Sequence, residues 1–157
     1  MVVVYEDFEE VKIKGEEFYK NIENVYCPYF KEKISFGAPG LEHLKFKRHG
    51  KTRLEQDQYM RFKLLHLAPE ILKISHTLQG KLETKKFERI RSHGRTDNVL
   101  KIVTYYEFIA LVKRDRVKII VKQIDNGEKF FWSMIPFWKM DENTKSRLFY
   151  EGELEED

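Results

Sequence analysis

A chain of 157 residues can bury one hydrophobic core without disulfide staples, and 41% hydrophobic with 14% aromatic residues is too apolar a composition for a disordered segment. The formal charge of +3 conceals an asymmetry: five acids stand in the last seven residues, so residues 1–150 carry +8. A single cysteine, Cys27, excludes an internal disulfide, no Cys/His spacing fits a zinc site, and MVVVYEDFEE, turning acidic after a few apolar residues, is expected to be neither a secretory signal nor a membrane span. We therefore expect one α+β domain over residues 1–150 and a disordered acidic tail over 151–157, in a cytoplasmic protein with no cofactor, no metal and no membrane partner. A basic body with an acidic tail is compatible with a nucleic-acid partner and a tail that mimics phosphate; a merely solvated surface is equally compatible.

Along the chain the apolar period changes. Over residues 15–75 it is helical, and from about residue 81 it alternates as in strands. EEFYKNIENVY reads as a short helix stopped before Pro28, and KISF as a short edge strand. Helices follow over residues 41–48 and 54–67, separated by Gly50, and Pro69 opens PEILKIS as one more. KLETKKFERIR is then a strand and SHGRTDN a loop, followed by the strands VLKIVTYYEFIALV, RVKIIVKQI and EKFFWSMIPF. The expectation is N-terminal helices packed on one face of a C-terminal antiparallel meander of about four strands.

Register assigns faces. With Asn126 and Gly127 as one turn and Arg114 and Asp115 as another, Val121 faces Trp132, Ile120 faces Ser133, Phe108 faces Val121 and Glu107 faces Lys122. Tyr106, Phe108, Ala110, Val112, Val117, Ile119, Val121, Trp132 and Met134 then form the core face. Glu107, Ile109, Lys118, Ile120, Lys122, Phe131 and Ser133 form the other. That mixed face suits an RNA platform, or is an exposed cross-strand ion pair worth about 0–1 kcal/mol; Ile109 and Ile120 also allow that something else half covers it.

The run GLEHLKFKRHGKTR concentrates cations. On a helix over residues 41–48, Leu41 and Leu44 point inward while His43 and Lys47 point outward together, with Lys45 and Arg48 beside the apolar stripe and His49, Lys51 and Arg53 in the loop. An imidazole among cations can bind phosphate and move a proton; a solvated helix face would carry the same residues. RIRSHGR repeats the theme with Arg91 and His93 on a loop. His66 and His76 read as boundary and loop residues, Cys27 has no histidine near it in sequence, and IPFW closes the core.

The run GLEHLKFKRHGKTR…QYMRFKLLHLAPEILKISHTLQG, with YYEFIALVKRDRVKIIVKQIDNGEKFFWSMIPFW, resembles a family of uncharacterised bacterial and phage-linked proteins. Its order of helices, a His-plus-Lys/Arg helix and then a meander is similar to the barnase, EndoU, colicin tRNase and RelE (BECR) group of metal-independent ribonucleases and toxins. That resemblance implies RNA cleavage by attack of a ribose 2′-hydroxyl on the adjacent phosphate, with tRNA or mRNA as substrate and a cognate antitoxin or immunity protein as partner. It implies His43 as a proton-transfer group, Lys47 and Arg48 as phosphate ligands, Glu107 as the base, and Lys122 and Ser133 as polar support. Binding without catalysis, and a protein-interaction or immunity role, are the alternatives.

Overall fold

The computed structural model describes residues 7–47, 50–112 and 115–136. Helix α1 (Phe8–Lys20) begins where the Asp7 carboxylate accepts from the Glu9 amide at 3.1 Å, with Glu9 and Glu10 favourably placed against the helix dipole. It starts earlier than the expected helix and ends at Lys20, because residues 25–27 are not helical. They form strand β1 (Val25–Cys27), paired antiparallel with β2 (Glu32–Ile34). Helices α2 (Ala38–Lys45), α3 (Glu55–Leu64) and α4 (Leu67–Ile74) follow.

The second half is a four-stranded antiparallel sheet in the order β3 (Gly80–Ser92), β4 (Arg95–Val112), β5 (Asp115–Ile124) and β6 (Phe130–Pro136). The α+β architecture with helices first is therefore present. One sheet face, with Phe108, Val117, Ile119, Val121 and Met134, packs on Val11 and Tyr19 of α1, Leu44 of α2, Phe62 of α3, and Ile71 and Leu72 of α4. These apolar side chains leave water together, which is the main stabilising term.

Three expectations of local geometry are corrected. SHGRTDN is not a loop: His93 (φ 52°) and Gly94 (φ 74°) alone make the turn, both in the left-handed region that a two-residue hairpin requires, and Ser92 pairs with Arg95. Between β4 and β5, Val112 pairs with Asp115, Phe108 with Ile119 and Glu107 with Ile120, a two-residue slip from the expected register. An even slip leaves each residue on its expected face. Between β5 and β6 the positive φ falls on Asp125 (51°) rather than on Asn126 or Gly127, and the register shifts between Ile120 and Val121. Ile120 still faces Ser133, but Val121 faces Phe131, leaving Trp132 as the extra residue. This β-bulge swaps the two aromatics: Phe131 enters the helix-side core and Trp132 joins the opposite face.

That opposite face is not an open platform either. Val103, Tyr105, Ile120 and Ile135 form a second buried cluster there with Trp132 against it. Arg114, Phe137, Trp138 and the 151–157 tail lie outside the described residues.

Candidate functional site

Gly40 sets how closely α2 approaches β6. A Cβ at this position would lie 2.5 Å from the Phe131 carbonyl oxygen and 2.6 Å from the Tyr19 hydroxyl, so only glycine admits the contact. The Tyr19 hydroxyl donates to the Gly37 carbonyl at 2.6 Å beside it, and burial pushes that phenol's pKa upward. Because α2 is seated this tightly, the helix turn that follows is pressed against the bulge of β6.

His43 is consequently buried, 6% exposed, and not on an outward face with Lys47. Its ring stacks on Trp132 at 4.1 Å between centroids and 21° between planes. Helix α2 ends at Lys45, with Phe46 already extended, so the 100° spacing that would have paired His43 with Lys47 stops between them.

Arg53 is the second surprise. Expected in a solvated cationic loop, it is 3% exposed: its Nε donates to the His43 carbonyl at 2.8 Å and its Nη2 lies 3.1 Å from His43 Nε2. A guanidinium has no acceptor, so His43 Nε2 accepts and the ring proton of the neutral imidazole resides on Nδ1. The Asp57 carboxylate ties Arg53 (3.4 Å) to Arg61 (2.7 Å), and Arg61 reaches across the β6 edge to donate to the Ser133 hydroxyl at 2.8 Å and the Met134 carbonyl at 3.2 Å. Asp57 and Arg61, one turn apart, share a face of α3, and Arg53, just before the helix, reaches the same Asp57 carboxylate.

The sheet supplies the rest. Glu107, Ile120 and Ser133 form one cross-strand row. Lys118 pairs with Glu107 at 3.6 Å, and Lys122 with Glu88 at 3.4 Å. The Lys122 ammonium also stands 4.1 Å from the Trp132 ring centroid, a cation–π contact, and 5.7 Å from that of Tyr105. Lys118 and Lys122 are 3% and 6% exposed, burial that an ammonium tolerates only with partners. Lys118, Lys122, Arg53, Arg61 and Ser133 each make at least one further contact. The Trp132 indole N–H, by contrast, is buried with no hydrogen-bond acceptor among the described residues.

Of the residues singled out from sequence, His43, Arg53, Lys122 and Ser133 thus meet where α2 and α3 join β5 and β6, while Glu107 stands on β4, two strands from Ser133 along the same row. The others do not. Lys45 pairs with Glu16 at 3.2 Å and Glu42 at 3.8 Å; Lys47 and Lys51 are exposed, joined by a backbone hydrogen bond of 2.6 Å. Arg91 and His93 lie at the far end of the β3–β4 hairpin, and Arg48 and His49 fall outside the described residues. Sequence reasoning missed Arg61 and Asp57, whose four-residue spacing with Arg53 was the available signal, and placed Trp132 in the wrong layer.

His66 lines a groove of about 330 Å³ between α1 and α3, away from this cluster, and Cys27 is fully buried, its thiol pKa raised by desolvation. Among the described residues no three His, Cys, Asp or Glu side chains form a metal-binding group, and no helix is long and apolar enough to cross a membrane. No family model, curated protein or solved structure matches the chain.

Proposed function

We propose that this chain is a metal-independent endoribonuclease that cleaves RNA by 2′-hydroxyl transesterification. The observation that carries the reading is the meeting of His43 and Lys122 on one indole, beside a row that joins Ser133 to Glu107. Such a reaction needs a base, a donor to the leaving oxygen and cations for the developing charge, and each type of group is present. Glu107, paired with Lys118, takes the proton of the 2′-hydroxyl, whose oxygen attacks phosphorus. The bond from phosphorus to the 5′-oxygen breaks, and that oxygen takes its proton from water while the neutral His43 ring donates a hydrogen bond to it from Nδ1. The products are a 2′,3′-cyclic phosphate and a free 5′-hydroxyl. Arg61 and Lys122 offset charge on the phosphoryl oxygens, and the Trp132 N–H is a donor for one of them. A toxin-like setting on tRNA or mRNA, with a cognate antitoxin or immunity protein, rests on the sequence resemblance alone.

RNA binding without cleavage is the second reading, favoured by the complete burial of Ser133 and the engagement of Glu107 by Lys118. Incubation of folded protein with RNA in excess chelator separates the two. Cleavage that leaves cyclic phosphate, and that is blocked by 2′-deoxy substitution at the cut position, is expected. RNA that is bound but left whole would favour the second reading.

A further inference from the structure

Strand β5 pairs with β4 only as far back as Val103↔Ile124, whereas β3 and β4 stay paired through eight more rungs, from Lys85↔Ile102 to Ser92↔Arg95. The hairpin therefore continues beyond β5 as a two-stranded arm with about 25 Å of strand, at roughly 3.3 Å per residue, and its Lys86/Glu88 face curls back over the sheet, where Glu88 meets Lys122 at 3.4 Å and Lys86 the Tyr105 hydroxyl at 3.3 Å. Its root is pinned by Asp125, whose carboxylate accepts from the Ile102 amide at 2.9 Å and pairs with Lys101 at 3.0 Å.

The two faces of the arm differ. One carries Lys85, Phe87, Arg89 and Arg91 on β3, with Ile102, Leu100, Asn98 and Thr96 opposite them on β4. All eight are exposed, Phe87 to 72% and Leu100 to 52%, and the face holds no carboxylate. An isolated apolar face of this kind would invite a second copy of the chain, but a symmetric contact would set these cations against their own copies. The cations instead line an extended backbone, Arg89 and Arg91 about 6.6 Å apart and Lys85 about 13 Å from Arg89 across Phe87. That spacing suits successive phosphates of a single strand, with Phe87 between Lys85 and Arg89 as a surface on which a base can stack. Asn98 and Thr96 add hydrogen-bonding groups that base edges use and a lipid interior does not.

We propose that this face of the β3–β4 arm is a binding site for single-stranded RNA, with phosphates on Lys85, Arg89 and Arg91 and a base on Phe87. The proposal rests on the ribonuclease reading for its choice of ligand and extends the substrate path beyond the buried cluster.

The test uses the full chain and a fluorescent 2′-O-methyl RNA of about 15 nucleotides, near the upper end of single-strand site sizes. It lacks the nucleophilic hydroxyl, so binding is read whether or not the protein cleaves. Phe87→Ala is expected to weaken binding about tenfold. The combined Lys85→Gln, Arg89→Gln and Arg91→Gln variant should weaken it further and flatten the slope of log affinity against log salt by about 2. Every changed side chain is exposed, so unaltered thermal melting is expected and is checked. Equal affinity of wild type and variants overturns the arm site while leaving the cleavage reading to its own assay. Arm-dependent binding to phosphatidylserine vesicles without RNA binding overturns it in favour of a membrane surface. Failure of the wild type to bind RNA at all overturns both readings.

Discussion

Arg53 holds His43 by two points at once, its Nε on the backbone carbonyl at 2.8 Å and its Nη2 on the ring Nε2 at 3.1 Å. The arginine thereby fixes both the end of α2 and the tautomer of the imidazole. Arg53→Lys keeps a charge but cannot span both acceptors. It is expected to cost about 2–3 kcal/mol of stability, the scale of buried hydrogen bonds to a charged group, measured by urea unfolding. In the wild type, nitrogen NMR of labelled histidine should show His43 protonated on Nδ1; Nε2 protonation in the neutral ring would contradict the assigned contact.

Trp132 offers a cleaner separation of packing from chemistry. Trp132→Phe retains a ring under His43 and beside Lys122 but removes the indole N–H, which has no acceptor among the described residues. Stability should fall by less than about 2 kcal/mol, whereas Trp132→Ala should cost about 3–5 kcal/mol. If the N–H serves a phosphate oxygen, RNA turnover drops in the Phe variant despite its sound fold. Unchanged turnover there would remove Trp132 from the mechanism.

Gly40→Ala probes the seat of α2. With the added carbon 2.5 Å from the Phe131 carbonyl oxygen, which is backbone, the helix must withdraw from β6 and carry His43 with it. A loss of about 1–3 kcal/mol is expected, together with a weaker His43–Trp132 contact, visible as altered tryptophan fluorescence. A neutral substitution would mean that the close approach is not what positions His43.

The root of the arm should respond to acid. The Ile102 amide, followed by Lys101, lowers the Asp125 pKa below the ordinary carboxylate value. Since the folded value is the depressed one, its contribution is present above the unfolded pKa and is lost as pH falls through the folded pKa. Between neutral pH and that range, hydrogen exchange at the Ile102 amide should be slow in the wild type and faster in Asp125→Asn. Below it the two should converge, and a constant difference at all pH values would refute the assignment.

How far the sequence could be read depended on parity and periodicity. The β4–β5 register was wrong by two residues, yet Phe108, Ile119 and Val121 still fell on the core face because an even slip preserves alternation. The bulge at Trp132 adds a single residue, which inverts the pattern, and nothing in FFWSMIP marks where the extra residue goes. The same limit explains His43. Helical spacing set it opposite Leu44, but α2 lies in a corner between the sheet edge and α3, so two of its sides are covered. Glu107, Lys122 and Ser133 were correctly grouped on one sheet face, and the partial cover that Ile109 and Ile120 allowed there is a second apolar cluster in which Ile120 takes part.

The most direct measurement of the central claim is the RNA turnover rate of His43→Gln beside the wild type, in chelator, from about pH 5 to about pH 9. The glutamine can still accept from Arg53, so the buried contact survives while the imidazole and its Nδ1–H donor are lost. A fall of about a hundredfold or more across this range, with an unchanged melting curve, is the predicted result. Equal turnover in the two proteins, or no cleavage by folded wild type at any pH, would contradict the account.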